Sequence, residues 1–321
     1  MAKERDISVD ILKFAAALLI VNSHMGFLYV YGKWLATGGA IGDALFFFCS
    51  GYTLFLGRMR RFDNWYKRRI GRIYPAVFAW AIVTAFLFGR HAGMKDTILH
   101  GGGWFVTCIM VYYVIIYFIR KFFMNRLWTV FGVCALGCVV LYFLYFSTSE
   151  VIYSSSFRLF FFFLFMLLGS IIGRPVGERK FNLRLDLPML VVSTVAFYGL
   201  QYAALRYVSH TWLQLLSIAV LMAVTYYAWR VCNSDVLRRA YQSKRLGFAI
   251  KFIGGLCLEM YIVQHALITD KMNFLFPLNI LLMLVIVIAV AYLLRCCANV
   301  FSQVFAEGDM NWKEVFKLTT Y

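Results

Sequence analysis

The chain has 321 residues, of which 62% are hydrophobic and 15% charged, whereas a soluble domain of this size is about 25% charged. Its mean hydropathy of +0.74 excludes an ordinary soluble enzyme. At roughly 20 apolar residues per membrane span, little length remains for a separate soluble domain, and the formal charge of +17 has to sit in short loops.

Apolar stretches set against their flanks predict ten spans, near 9–30, 41–57, 73–89, 104–119, 127–146, 157–173, 187–205, 211–229, 250–269 and 278–297. The expected fold is all-α: a polytopic bundle of about ten transmembrane helices forming one domain over 1–321. With the N-terminus inside, 25 Lys and Arg fall in inner segments and six (Lys33, Arg90, Lys95, Arg158, Arg206, Lys271) in outer ones, with Lys13 in the first span. That asymmetry predicts both termini in the cytoplasm. It also accounts for most of the positive charge, so no nucleic-acid partner is expected. The first span is longer than a signal-peptide core and carries no small-residue cleavage pattern, so it is expected to be retained. The eight cysteines lack metal-ligand spacing and do not cluster in an outer loop, so they read as small buried residues and no metal is expected.

In the first span Asp10, Lys13 and His24 share a face. Eleven steps of about 100° bring His24 to within roughly 20° of Lys13, some 16 Å further along the axis. Ionisable groups at bilayer depth are costly, so such a stripe should face a polar cavity or a reaction site. Asp10 and Lys13 can pair, or act as a snorkelling helix end. His24 lies about two thirds of the way across and cannot snorkel; a neutral imidazole there is suited to take a proton from a hydroxyl and return it.

The second span opens Gly42-Asp43-Ala-Leu-Phe-Phe-Phe-Cys-Ser50-Gly51-Tyr52. Asp43, expected near the depth of His24, either orients that imidazole or caps the helix. Ser50 and Gly51 allow another helix or a ligand to approach closely. An inner loop follows, Arg58 to Pro75, with seven cations in 58–72. Arg68, Arg69 and Arg72 are spaced as one helical face and suit phosphate recognition, with anionic lipid headgroups as the alternative partner. In the ninth span Glu259 is deep in apolar sequence and needs a partner on another helix, while His265, six residues on, falls on the opposite face near the outer end.

These elements in this order resemble the acyltransferase-3 family of integral membrane acyltransferases: Lys13 with His24, Gly42 to Tyr52, Arg68-Arg69-Ile-Gly-Arg72-Ile-Tyr-Pro75, and Tyr261-Ile-Val-Gln-His265. The resemblance implies transfer of an acyl group, usually acetyl, from cytoplasmic acyl-coenzyme A as co-substrate to a hydroxyl, most often on a cell-envelope or exported glycan. It implies His24 as catalytic base, and Lys13 with the arginine run as groups facing the coenzyme. It also implies a multi-pass protein of a bacterial inner membrane, in contact with membrane lipid. Ser50, Tyr52, Trp104, Tyr113, Glu259, Tyr261 and His265 are the further candidates for substrate binding or structure. Two departures stand out. Lys13 takes a position that is Arg in many members, giving a point charge in place of a fork. Ile109 stands where longer, glycan-modifying members carry a glutamate after the tryptophan at 104. A compact stand-alone form without an appended extracytoplasmic domain is therefore expected. The alternative from another class is a glycan or lipid transporter or flippase using the same polar groups as a path. The acceptor, the choice between direct transfer and an acyl-enzyme on His24 or Ser50, and the oligomeric state are not encoded in any recognisable pattern.

Overall fold

A computed structural model of the chain describes residues 6–56, 59–89, 93–146, 156–174, 179–207 and 211–319. Lys3, Arg5, Arg58 and Arg90 of the charge count lie outside the described residues. The helices, in chain order, are α1 (Ile7–His24), α2 (Gly39–Leu56), α3 (Phe62–Phe88), α4 (Met94–His100), α5 (Gly103–Phe122), α6 (Leu127–Leu141), α7 (Arg158–Ile172), α8 (Leu183–Arg206), α9 (Leu213–Cys232), α10 (Asp235–Gln242), α11 (Lys244–Gly255), α12 (Cys257–Leu267), α13 (Leu278–Val304) and α14 (Trp312–Val315). No strand occurs among the described residues.

The ten expected spans resolve into three kinds. Among the described residues, eight helices, some extended by flanking turns, are long and apolar enough to cross a bilayer. The expected ninth span corresponds to a bent helix pair, α11 and α12, which meet at 68°. The tenth, α7, is a shorter apolar helix of 15 residues. The chain is thus a multi-pass, all-α membrane protein. One boundary moved substantially: the third span was expected from 73, but α3 starts at Phe62. The arginine run is consequently the first turns of a 27-residue helix rather than a loop. Such a helix is about 40 Å long, against a hydrocarbon core of about 30 Å, so its charged turns can stand clear of the lipid.

The chain divides into two compact units, the first made of 1–16, 40–58 and 115–248, the second of 17–39, 59–114 and 249–321. In the first unit, α7 is buried along nearly its whole length and meets α2 backbone to backbone. A Cβ added at Gly51 would lie 1.8 Å from the Met166 carbonyl oxygen, and one at Gly169 would lie 2.0 Å from that of Phe48. The close approach expected at Ser50-Gly51 therefore falls on Gly51. Phe47 and Phe162 stack across the same contact at 5.4 Å. α8 and α9 pair through polar groups turned inward: Gln201 donates to the Ser217 hydroxyl, and Arg230 Nε meets Asp186 Oδ1 at 2.5 Å. Their apolar faces stay exposed, among them Val191, Val192, Val195 and Leu216. That is the arrangement a lipid solvent favours, because tails solvate those side chains as well as other helices do.

In the second unit, α13 packs against α3 and α12, with Phe78 and Phe301 stacked at 5.8 Å. Glu259 finds the partner it needed in Arg295 of α13. Arg295, one of the cations at the inner end of the last span, is only 5% exposed in the fold.

Candidate functional site

α1 ends at His24, and a short 3-10 turn, Met25–Phe27, follows it. The return segment to α2 is knotted onto this end by Asn22. Its Nδ2 donates to the carbonyls of Leu35 at 2.7 Å and Thr37 at 3.0 Å, while its Oδ1 accepts the Tyr29 hydroxyl at 2.7 Å. From the other end of the unit, Asn273 donates to the Phe27 carbonyl at 2.9 Å and Asn279 to that of Leu28 at 2.9 Å. These bonds serve carbonyls of the turn and return segment, where regular helical pairing has ended. The backbone around His24 is therefore held from both sides.

Against this fixed end comes the last turn of α12. The rings of His24 and His265 lie 4.5 Å apart, edge to face at 71°. Tyr261, one turn earlier, is edge-on to His265 at 6.2 Å and tilted against Phe105 at 5.4 Å, and Phe105 in turn meets Trp104. Tyr261 and His265 are four apart and so share a face of α12. The Tyr261 hydroxyl accepts the backbone N–H of Phe105 at 3.4 Å in the first turn of α5. Gly103 starts that turn with φ +64°, and a Cβ there would lie 2.9 Å from the Tyr261 hydroxyl. Both the backbone angle and the space require glycine.

His24 is half-buried and His265 exposed, so the imidazole pair is reachable. Each neutral ring offers one donor and one acceptor, so two imidazoles stand side by side within reach of a substrate. Gln264, beside His265, is fully buried with neither amide atom hydrogen-bonded. Sequence reading missed the roles of Asn22, Asn273, Asn279 and Arg295. Asn22, a polar residue at the end of an apolar run two positions before His24, was a signal that could have been read.

The remaining expected residues sort by unit. In the second unit Arg69 lies over Trp65 at 5.1 Å and over Tyr113 at 5.5 Å, which fixes one guanidinium. Arg68 and Arg72 are exposed beside it on the same helix. Glu259 is engaged by Arg295, with Nη2 to Oε2 at 3.0 Å and Nε to Oε1 at 3.3 Å. It lies on the far side of α12 from Tyr261. In the first unit Lys13 is half-buried, and Asp10 accepts the Tyr241 hydroxyl at 2.8 Å. Asp43 sits in the second turn of α2, which starts at Gly39, so it is not the helix cap; the charge of Arg158 acts on it. Tyr52 donates its hydroxyl to Asp6. Ser50 is half-buried, and its carbonyl accepts Thr53 Oγ1 at 3.2 Å.

No curated protein and no solved structure matches the chain. The acyltransferase domain of the acyltransferase-3 family matches residues 6–296, nearly the full length. With a helical membrane fold, an accessible histidine pair and that match, the chain belongs to the acyltransferase-3 family and is a membrane acyltransferase.

Proposed function

We propose that this enzyme transfers an acyl group, acetyl being the simplest, from acyl-coenzyme A to an acceptor hydroxyl, with His24 as general base. His24 removes the hydroxyl proton as the oxygen attacks the thioester carbonyl. The new C–O bond forms, the C–S bond breaks, and the imidazolium returns the proton to the departing thiolate. The observation that carries this reading is the edge-to-face packing of His24 against His265, ring centroids 4.5 Å apart, which brings the two imidazoles of the family motifs to one place. Asp43 is assigned as an orienting carboxylate from its expected depth near His24.

The donor's phosphates go to Arg68, Arg69 and Arg72, whose forks suit phosphate oxygens. What supports this is the exposure of Arg68 and Arg72 next to an Arg69 already immobilised on two rings. Lys13 adds a point charge. Along α1 the rise from Lys13 to His24 is about 16 Å, comparable to an extended pantetheine arm. Cytoplasmic termini, a bacterial inner membrane and a glycan acceptor complete the proposal. Direct transfer is the simpler route, since it needs no acyl-enzyme on His24 or Ser50 and no export of the coenzyme.

The test is purified protein with acyl-labelled acetyl-coenzyme A, read as labelled product and free thiol. His24→Ala should lower turnover by at least about a hundredfold while leaving coenzyme binding and the melting temperature near those of the native protein. Substantial turnover in that variant removes His24 as the base. No binding of any acyl-coenzyme A would favour a transporter, to which the broken α11–α12 span would then belong.

A further inference from the structure

The span that carries Tyr261 and His265 is the broken one. α11 ends at Gly255, α12 begins at Cys257, and the two are bent by 68° at Leu256. A break inside an apolar span leaves the closing carbonyls of the first half-helix in need of donors where water is scarce. Arg295 supplies one: its Nη2 donates to the Gly255 carbonyl. The same guanidinium grips Glu259 in the first turn of α12, through Nη2 at 3.0 Å and Nε at 3.3 Å. Arg295 is 5% exposed and Glu259 8%. An ion pair that only glued α12 to α13 would need the carboxylate alone. Here one rigid fork holds the end of one half-helix and the beginning of the next, so it spans the bend itself.

We propose that Arg295 is a positioning residue that fixes the angle of the α11–α12 break and thereby aims Tyr261 and His265. The inference rests on reading the His24–His265 pair as the reaction centre. The lever is long. His265 lies nine positions beyond Leu256, about 13 Å along α12, so a change of about 10° in the bend moves it by roughly 2 Å. Ring centroids only 4.5 Å apart do not survive that shift as a contact. A misplacement of about 1 Å can already cost a hundredfold in rate.

The experiment compares Arg295→Met, Arg295→Lys and the double variant Arg295→Met with Glu259→Met, each in the full-length purified protein. The readouts are melting temperature, acetyl-coenzyme A affinity, kcat, KM, and hydrogen exchange across 256–267. Arg295→Met alone leaves a buried carboxylate unpaired and should lower the melting temperature. The double variant replaces the pair by apolar groups of similar volume, which is often neutral for stability. Its melting temperature and coenzyme affinity should stay near native, while kcat falls about ten- to a hundredfold and exchange across 256–267 rises. Arg295→Lys, keeping charge but not the fork, should fall between. If the double variant restores kcat and native exchange together with stability, the pair is packing only and the proposal is overturned. If kcat falls while exchange stays native, Arg295 acts on substrate rather than on the bend, and the proposal is again overturned. Should the native protein transfer no acyl group at all, the acyl-transfer reading fails by itself. The exchange comparison would then still decide the role of Arg295: raised exchange upholds it and native exchange sinks it.

Discussion

Gly103→Ala and Tyr261→Phe, made singly and together, test the geometry that brings the start of α5 against the histidine-bearing helix. Alanine at 103 must adopt a φ of +64°, a left-handed conformation that costs about 1–2 kcal/mol for a residue with a Cβ. Its methyl would also stand 2.9 Å from the Tyr261 hydroxyl oxygen, with the ring carbons at 3.7 Å. The hydroxyl is not free to swing away, because it accepts the Phe105 N–H and its ring packs against Phe105 and His265. Crowding of this kind adds about 1 kcal/mol or more, for a total of roughly 2–4 kcal/mol. Tyr261→Phe loses the acceptor and should cost about 1 kcal/mol. In the double variant the oxygen is gone and only ordinary contacts remain, so the crowding disappears while the backbone strain stays. Gly103→Ala should therefore cost about 1 kcal/mol less in the Tyr261→Phe background than in the native one. The assay is reversible unfolding in mixed micelles, followed by helical circular dichroism and analysed as a double-mutant cycle. Additive costs, within about 0.5 kcal/mol, would refute the contact. A neutral Gly103→Ala would refute the left-handed turn.

Two further outcomes follow from the same structure. His265→Ala should depress kcat, and adding it to His24→Ala should cost little more, since residues acting as a unit are strongly non-additive; independent, multiplying losses measured by steady-state kinetics would dissolve the pair. Gly51→Ala places a methyl 1.8 Å from the Met166 carbonyl oxygen, and backbone on both sides cannot yield. It should destabilise by more than about 3 kcal/mol, read as a large drop in melting temperature in detergent, and a native-like melt would contradict the tight α2–α7 contact.

Much of the fold was legible in the sequence because a bilayer imposes a one-dimensional rule: a span must be apolar for about 20 residues, wherever it ends up in the bundle. That rule finds all ten elements, most boundaries within about seven residues, with the start of α3 the largest departure. There the charges of 60–72 masked a helix, because hydropathy records where lipid ends and not where helical hydrogen bonding does. The break at Leu256 was also invisible, since an apolar run of the right length reads the same whether straight or bent. The motifs carrying His24, the arginine run and Tyr261-x-x-x-His265 could be read as local patterns, since each is set by helix periodicity within one segment.

What no local pattern carries is which segments meet. His24 and His265 are separated by most of the chain, and only the folded second unit sets their rings in contact. Glu259 announced by its cost in an apolar span that it must have a partner, yet nothing in the sequence named Arg295. The sequence by itself determined a helical membrane enzyme of the acyltransferase-3 family and the residue types its chemistry would draw on. The tertiary structure decided that two histidines face each other, that asparagines hold the turn beside them, and that an arginine bridges the bend beneath one of them. The physical reason is that hydropathy and helical periodicity are properties of a segment, whereas the satisfaction of a buried polar group is a property of two or more segments brought together.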